Sequence, residues 1–155
     1  MREIVLFNRQ RLRPLRLPGF RAAIIDTLQH QLRIQDCELG FHFVSPRRMA
    51  GLNLEFLGHS GPTDVITFDQ RETNRPALVR GEIFICVAVA LEQAREFHTD
   101  WREEVLRYAL HGLLHLLGWD DLMPQARRRM KARENQLVRW LGQRFPLQEL
   151  SGSLR

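Results

Sequence analysis

Cysteine and long apolar runs are scarce in this chain. Its 155 residues contain two cysteines, Cys37 and Cys86, which do not form a Cys-x-x-Cys pair. We therefore expect neither a disulfide nor a cysteine metal site. No apolar stretch approaches the roughly 20 residues that cross a bilayer, and residues 1–19 lack the apolar core of a signal peptide. We expect a cytoplasmic protein without a membrane segment.

Lysine is almost absent. Lys131 is the only one, so arginine carries nearly all of the positive charge in a chain of net charge +5. The planar guanidinium binds two phosphate oxygens at once, and a basic surface is typical of nucleic-acid-binding proteins. A genome that favours arginine codons produces the same composition, so the composition alone does not establish nucleic-acid binding. Arg47 and Arg48, at the start of a short helix opened by Ser45, are our candidates for RNA binding.

The hydrophobic pattern predicts a single domain, residues 1–155, with a loose tail from about residue 146. The predicted strands and helices do not alternate regularly, which disfavours a doubly wound parallel fold and favours an α+β fold, a small mixed sheet packed with helices. The expected strands are 3–7, 37–44, 65–68 and 82–86, and the expected helices are 21–34, 46–57, 87–97, 101–117 and 124–144.

Two histidines lie four residues apart in the helix predicted for residues 101–117. At about 100° per residue, His111 and His115 lie about 40° apart around the helix axis, so both imidazoles can reach one metal ion. The helix should be central and buried, where histidines without partners are costly. Its apolar residues at helical spacing are Leu106, Leu110, Leu113, Leu114 and Leu117.

A carboxylate follows the two histidines after a glycine. On an unbroken helix Asp121 would point about 280° away from His111, so it can join a metal site only if the chain reverses. Gly118 tolerates the positive φ that such a reversal needs. We therefore predict His111, His115 and Asp121 as metal ligands, with Asp120 as the alternative to Asp121. Packed histidines without a metal ion remain the structural alternative.

Further sequence blocks accompany the histidine motif, namely residues 52–56, 62–68, 81–86 and 93–94. In order and spacing, from about residue 50 to 121, the blocks resemble those of the YbeY family of bacterial endoribonucleases. The resemblance implies an α+β fold with the motif helix buried, one catalytic divalent ion (zinc in most descriptions) and RNA as the substrate. It also implies ribosomal RNA maturation with the small ribosomal subunit as partner, and no nucleotide cofactor.

The chain departs from the family pattern at positions that carry chemistry. Asp121 stands at the family's third metal-binding histidine, Leu57 at its arginine, and Trp119 at a tyrosine. A carboxylate leaves one net charge on a divalent site instead of two, which weakens the Lewis acid, and it also suits iron or manganese. Loss of the arginine removes a cation that can hold a scissile phosphate. The candidates to replace it are Arg47, Arg48, His59 and Arg71.

Together, the motif and the resemblance predict a metal-dependent, single-strand endoribonuclease of ribosomal RNA maturation and ribosome quality control. His111 and His115 would act in catalysis through the bound metal. The departures leave open a catalytically weakened RNA-binding factor of ribosome assembly. A metallopeptidase is disfavoured because Gly112 stands where an H-E-x-x-H enzyme has its general-base glutamate. Asp64 and Asp100 are interpreted as turn and helix-cap residues, outside the site.

Overall fold

The computed structural model describes residues 1–151 of the chain. The helices Leu17–Thr27 and Pro46–Leu52 each continue into one π-helical turn, Leu28–Leu32 and Asn53–Leu57, and a short 3-10 helix covers Leu147–Glu149. The strands and α-helices follow in the order β1 (Arg2–Asn8), α1 (Leu17–Thr27), β2 (Cys37–Val44), α2 (Pro46–Leu52), β3 (Val65–Asp69), β4 (Val79–Cys86), α3 (Val87–Phe97), α4 (Trp101–Leu116) and α5 (Pro124–Arg144).

The four strands form one mixed sheet in the order β1-β2-β4-β3. Strands β1 and β4 both run parallel to β2, whereas β3 pairs antiparallel with β4. A parallel neighbour requires a crossover connection, which here is made by helices. The α+β fold with a small mixed sheet, predicted from the sequence, is confirmed.

The side chains of the strands alternate between two apolar clusters. Leu39, Phe41 and Phe43 of β2 belong to the main core, which also contains residues of α1, α3, α4 and α5. A smaller cluster includes Met49 and Leu52 of α2. Within α4, the side chains of residues 110, 113 and 114 are all 0% exposed. The prediction that the histidine helix is central and buried is therefore confirmed, and each buried leucine contributes about 1.5–3 kcal/mol.

Helix α4 approaches the sheet through a glycine. A Cβ built on Gly112 would lie 2.7 Å from Cγ2 of Ile83 and 3.0 Å from Oγ1 of Thr67. These two residues lie on β4 and β3, so the backbone of α4 rests directly on that half of the sheet. This contact sets the height of the histidine helix above the strands.

Some predicted boundaries differ from the structure. Helix α1 begins at Leu17, four residues earlier than predicted, with Pro18 in its first turn, where its missing N–H costs nothing. The tail from about residue 146, expected to be loose, makes contacts with the rest of the domain as far as Ser151. Leu150 is 1% exposed, and its carbonyl accepts a hydrogen bond from the Arg16 amide at 3.2 Å. The remaining four tail residues lie outside the described residues.

Two further expectations concern cysteines and membranes. Cys37 and Cys86 are both buried and free in the structure. Among residues 1–151, no helix has the length and apolar character needed to span a membrane.

Candidate metal centre

His111 and His115 lie one turn apart on α4, with their ring planes at 82° to each other in an edge-to-face arrangement. The ring centroids are 4.6 Å apart, and the two Nε2 atoms are 3.1 Å apart. The side chains are 24% and 31% exposed. The histidines therefore stand at the border between the core and the solvent, with one nitrogen of each ring directed at the same point.

Asp121 reaches this point because the chain reverses after α4. Gly118 has φ +95°, and its amide donates to the carbonyl of His115 at 3.0 Å. The amide of Trp119 donates back to the carbonyl of Leu114, also at 3.0 Å. After this turn, Oδ2 of Asp121 lies 3.6 Å from Nε2 of His111 and 3.5 Å from Nε2 of His115. The reversal at Gly118 occurs as predicted.

The spacing of the three atoms fits a divalent ion. Zinc ligands at roughly 2.0–2.1 Å in tetrahedral geometry lie about 3.3 Å from one another. The three separations here are 3.1, 3.5 and 3.6 Å. Within residues 1–151 this is the one group of three or more histidine, cysteine or acidic side chains whose possible ligand atoms all lie within 4.8 Å of one another. His111, His115 and Asp121 are thus brought together with the dimensions that an ion requires.

Asp120, the alternative to Asp121, lies outside the group formed by the two histidines and Asp121. Its Oδ1 accepts a hydrogen bond from the Leu122 amide at 2.7 Å. The residue is exposed, and it does not belong to the group of three. Asp120 therefore stabilises the turn that follows Gly118, and the structure brings Asp121 rather than Asp120 to the histidines.

Glu134 is a residue of the site that sequence reasoning missed. Its Oε2 lies 2.9 Å from Nδ1 of His111, although the two residues belong to different helices. Glu134 is only 4% exposed, and on α5 it shares an apolar face with Met130, Leu137 and Leu141. A carboxylate at an apolar position of a helix is rarely buried without a partner. The charged Glu134 among the apolar positions of α5 is therefore the signal in the sequence that could have indicated this contact.

Electrostatics couple Glu134 and His111. Burial alone would lower the pKa of His111, but its hydrogen bond to Glu134 and the charges of Glu134, Asp64 and Asp121 outweigh burial, so the pKa is raised. Burial would likewise raise the pKa of Glu134, yet the hydrogen bond to His111 and nearby positive charges lower it. The pair thus favours charged forms in the absence of a metal ion.

Asp64 and Asp100 take the local roles expected of them. Oδ1 of Asp64 accepts from the Val65 amide at 2.8 Å, and Asp100 caps α4 by accepting from the Arg102 amide at 2.9 Å. The carboxylate of Asp64 also acts on His111 electrostatically. This effect on the pKa of His111 is not evident from the sequence position of Asp64.

The predicted cations are spread over the surface. Arg47 and Arg48 are exposed in the first turn of α2, and within the described residues no hydrogen bond or ion pair joins their side chains to the histidines or to Asp121. Leu57, where the sequence resemblance implies an arginine, is 53% exposed. Arg71 donates a hydrogen bond from Nη2 to the carbonyl of Leu116, which places its guanidinium at the C-terminal end of α4, one residue beyond His115.

Fold and site together define a class: an α+β domain whose buried helix presents a candidate His–His–Asp metal group beside a sheet. The family model described as Endoribonuclease YbeY matches residues 8–142. The chain belongs to this family. The resemblance noted in the sequence is thus confirmed, and the match extends beyond the segment that suggested it.

Two relatives and one solved structure are also similar to this chain. The Endoribonuclease YbeY of Chlorobium luteolum is 38% identical over 104 residues, which are 67% of this chain and 74% of the relative. That of Chlamydia caviae is 29% identical over 150 residues, or 94% of each chain. The solution structure of TM1509 from Thermotoga maritima is similar with a TM-score of 0.66 and 25% identity, and the match covers 91% of this chain and 90% of the other.

Proposed function

We propose that this protein is a metal-dependent endoribonuclease that cleaves single-stranded RNA during ribosomal RNA maturation and ribosome quality control. We propose further that it acts in the cytoplasm with the small ribosomal subunit as its partner and one zinc ion as its cofactor. The relatives named endoribonuclease support the activity. The observation that carries the metal dependence is the triangle of His111, His115 and Asp121 atoms, with sides of 3.1–3.6 Å.

The residues of the triangle have distinct tasks in this proposal. His111 and His115 each offer Nε2, and Asp121 adds a carboxylate oxygen and one negative charge. The three side chains are 24–37% exposed, so the site opens to solvent on one side. Three protein ligands with an open fourth position are typical of catalytic zinc sites, whereas structural sites are closed. A divalent ion held by these three residues would supply Lewis-acid chemistry toward a phosphoryl oxygen and a bound water.

A single-stranded RNA substrate needs cationic side chains beside the three ligand residues to hold its phosphates. Arg71 is the candidate with the best position, because its hydrogen bond to the Leu116 carbonyl holds it next to the residue that follows His115. Its guanidinium can take the role of the arginine that Leu57 replaces and stabilise charge on a phosphate. Arg47 and Arg48, which are exposed, can hold the RNA backbone farther along the strand.

An RNA cleavage assay with metal-replete protein tests this function. We expect cleavage of a single-stranded RNA, slower cleavage of a duplex, and loss of cleavage in His115→Ala. The matched control is His30→Ala, because His30 is 49% exposed and its ring lies beside Asp26 and Trp140 rather than beside the three ligand residues. Cleavage by His115→Ala at the rate of the parent protein would reveal a contaminating nuclease and overturn the proposal.

A second function is favoured by one observation. Leu57, where the sequence resemblance implies an arginine, is 53% exposed and carries no charge. A catalytically weakened RNA-binding factor of ribosome assembly would bind RNA and metal with this site but would not cleave. The same assay separates the two proposals, because the assembly factor retains single-stranded RNA uncut in a binding measurement at identical protein and metal concentrations.

A further inference from the structure

A buried carboxylate contacts the side of His111 that faces away from the ligand triangle. Glu134 of α5 places Oε2 2.9 Å from Nδ1 of His111, and its side chain is 5% exposed. Nε2 of the same ring is directed at His115 and Asp121. The two ring nitrogens of His111 thus face two different partners.

The chemistry of the two groups determines where the proton lies. An ionised carboxylate only accepts hydrogen bonds. A neutral His111 therefore carries its proton on Nδ1 and keeps a lone pair on Nε2, the atom that a metal ion would use. A ligating histidine that donates its other N–H to a carboxylate is held in one ring orientation, and its basicity is raised.

The carboxylate of Glu134 is itself held in place. Nη1 of Arg107 lies 3.2 Å from its Oε1, and Nζ of Lys131 lies 3.4 Å from the same oxygen. Arg107 is anchored in turn by a 2.6 Å hydrogen bond to Oδ1 of Asn135. Oε1 therefore faces two cations while Oε2 remains for His111. A buried carboxylate with this many partners is oriented rather than free to rotate.

We propose that Glu134 is a positioning residue of the metal centre, which holds His111 in the Nδ1-protonated form and thereby strengthens metal binding. This inference rests on the proposed metal-dependent function and deepens it. Glu134 does not touch the metal ion or the substrate, and it acts only through the imidazole of His111.

Zinc affinity measured by chelator competition tests the inference. Glu134→Gln keeps the size of the side chain and removes its charge, and we expect zinc affinity to fall about 10- to 100-fold. The control is Glu103→Gln, because Glu103 approaches the same Arg107, at 4.0 Å, without contacting His111. We expect the control to bind zinc as the parent does. Circular dichroism establishes that each variant is folded under the assay conditions.

The possible outcomes separate the two proposals. A parent protein that binds no zinc overturns the metal-dependent function and this inference with it. A parent that binds zinc, together with a change of less than about threefold in Glu134→Gln, overturns the inference alone.

A second measurement does not depend on any variant. Long-range ¹H–¹⁵N spectra of the zinc-loaded parent report which nitrogen of His111 carries the proton. We expect a protonated Nδ1 and a ligating Nε2. A ligating Nδ1 would contradict the contact with Glu134 and overturn the inference, even if Glu134→Gln does not fold.

Discussion

Gly112 of α4 lies against Ile83 of β4 so closely that a Cβ on the glycine would stand 2.7 Å from Cγ2 of the isoleucine. The contact is made by the backbone of the helix, directly after His111 in the chain. It therefore sets the height of the helix face that carries His111 and His115 above the sheet. It also leaves no room for the general-base glutamate that a peptidase of the H-E-x-x-H type carries at this position.

Replacement of Gly112 by alanine should destabilise the fold. Overpacking a well-filled interface costs about 1–3 kcal/mol, which outweighs the gain of up to about 1 kcal/mol in helix propensity. We therefore expect the free energy of unfolding of Gly112→Ala, measured in urea, to fall below that of the parent. Gly51→Ala is the matched control, because a Cβ on Gly51 in α2 meets nothing within 4 Å. The control should gain up to about 1 kcal/mol from helix propensity. Equal stability of Gly112→Ala and the parent would contradict the contact.

The two neighbouring aspartates should differ in metal binding. Elemental analysis should find one zinc per chain in the parent, and Asp121→Ala should lose it, because one of three ligand atoms is removed. Asp120→Ala should retain the metal, since its carboxylate is engaged with the Leu122 amide. Retention of the full metal content by Asp121→Ala would show that the ligand set is different.

The metal-free protein should show a raised pKa at His111 in an NMR titration. Its hydrogen bond to Glu134 and the charges around it outweigh burial. The stabilisation that follows is fully present below the pKa of an unfolded histidine and is lost as pH rises through the folded pKa. The lowered pKa of Glu134 gives the opposite pH dependence of stability. Its contribution is present above the unfolded glutamate pKa and is lost as pH falls through the folded one.

Glu134→Gln removes the carboxylate that faces His111 and so tests its effect on the pKa of His111. We expect the pKa of His111 to fall in this variant and to stay unchanged in Glu103→Gln. Proton and metal compete for the histidine, so zinc affinity of the parent should decline as pH is lowered through the pKa of His111. A titration in which His111 has an ordinary or lowered pKa in the parent would contradict the ion pair.

RNA binding should depend on salt through the exposed arginines. For single strands the slope of log affinity against log salt is about −0.7 for each phosphate contact. Replacement of both Arg47 and Arg48 by alanine should flatten the slope by about 1.4 if each contacts a phosphate. The control removes the same charge elsewhere, at the exposed Arg11 and Arg13. An unchanged slope for the first pair would remove these residues from the RNA-binding surface.

The features of the site that could be predicted from the sequence depend on interactions between residues close in the chain. The leucine spacing of α4 and the Asp100 cap, which accepts from the Arg102 amide at 2.9 Å, are features of one contiguous segment. The helical period then places His111 and His115 on one face. Gly118 lies three residues after His115, and its positive φ brings Asp121 back. Each of these steps joins residues close in the chain.

Long-range packing explains what could not be predicted. Glu134 meets His111 across 23 residues of sequence, and the distance between α4 and α5 depends on how both helices pack on the sheet. The same is true of Leu150, which is buried although the tail was expected to be loose. No local pattern encodes the order β1-β2-β4-β3, because strand order follows from which apolar faces can be covered together.

The chain's local order of residues therefore specified the class of fold, the histidine helix and the turn that returns Asp121, since helix periodicity and a glycine at positive φ act over a few residues. The position of Glu134 behind His111 and the contact of Arg71 with the end of α4 were settled by the packing of distant elements. Hydrophobic burial drives that packing without direction, so its outcome depends on the whole set of apolar faces rather than on any single segment.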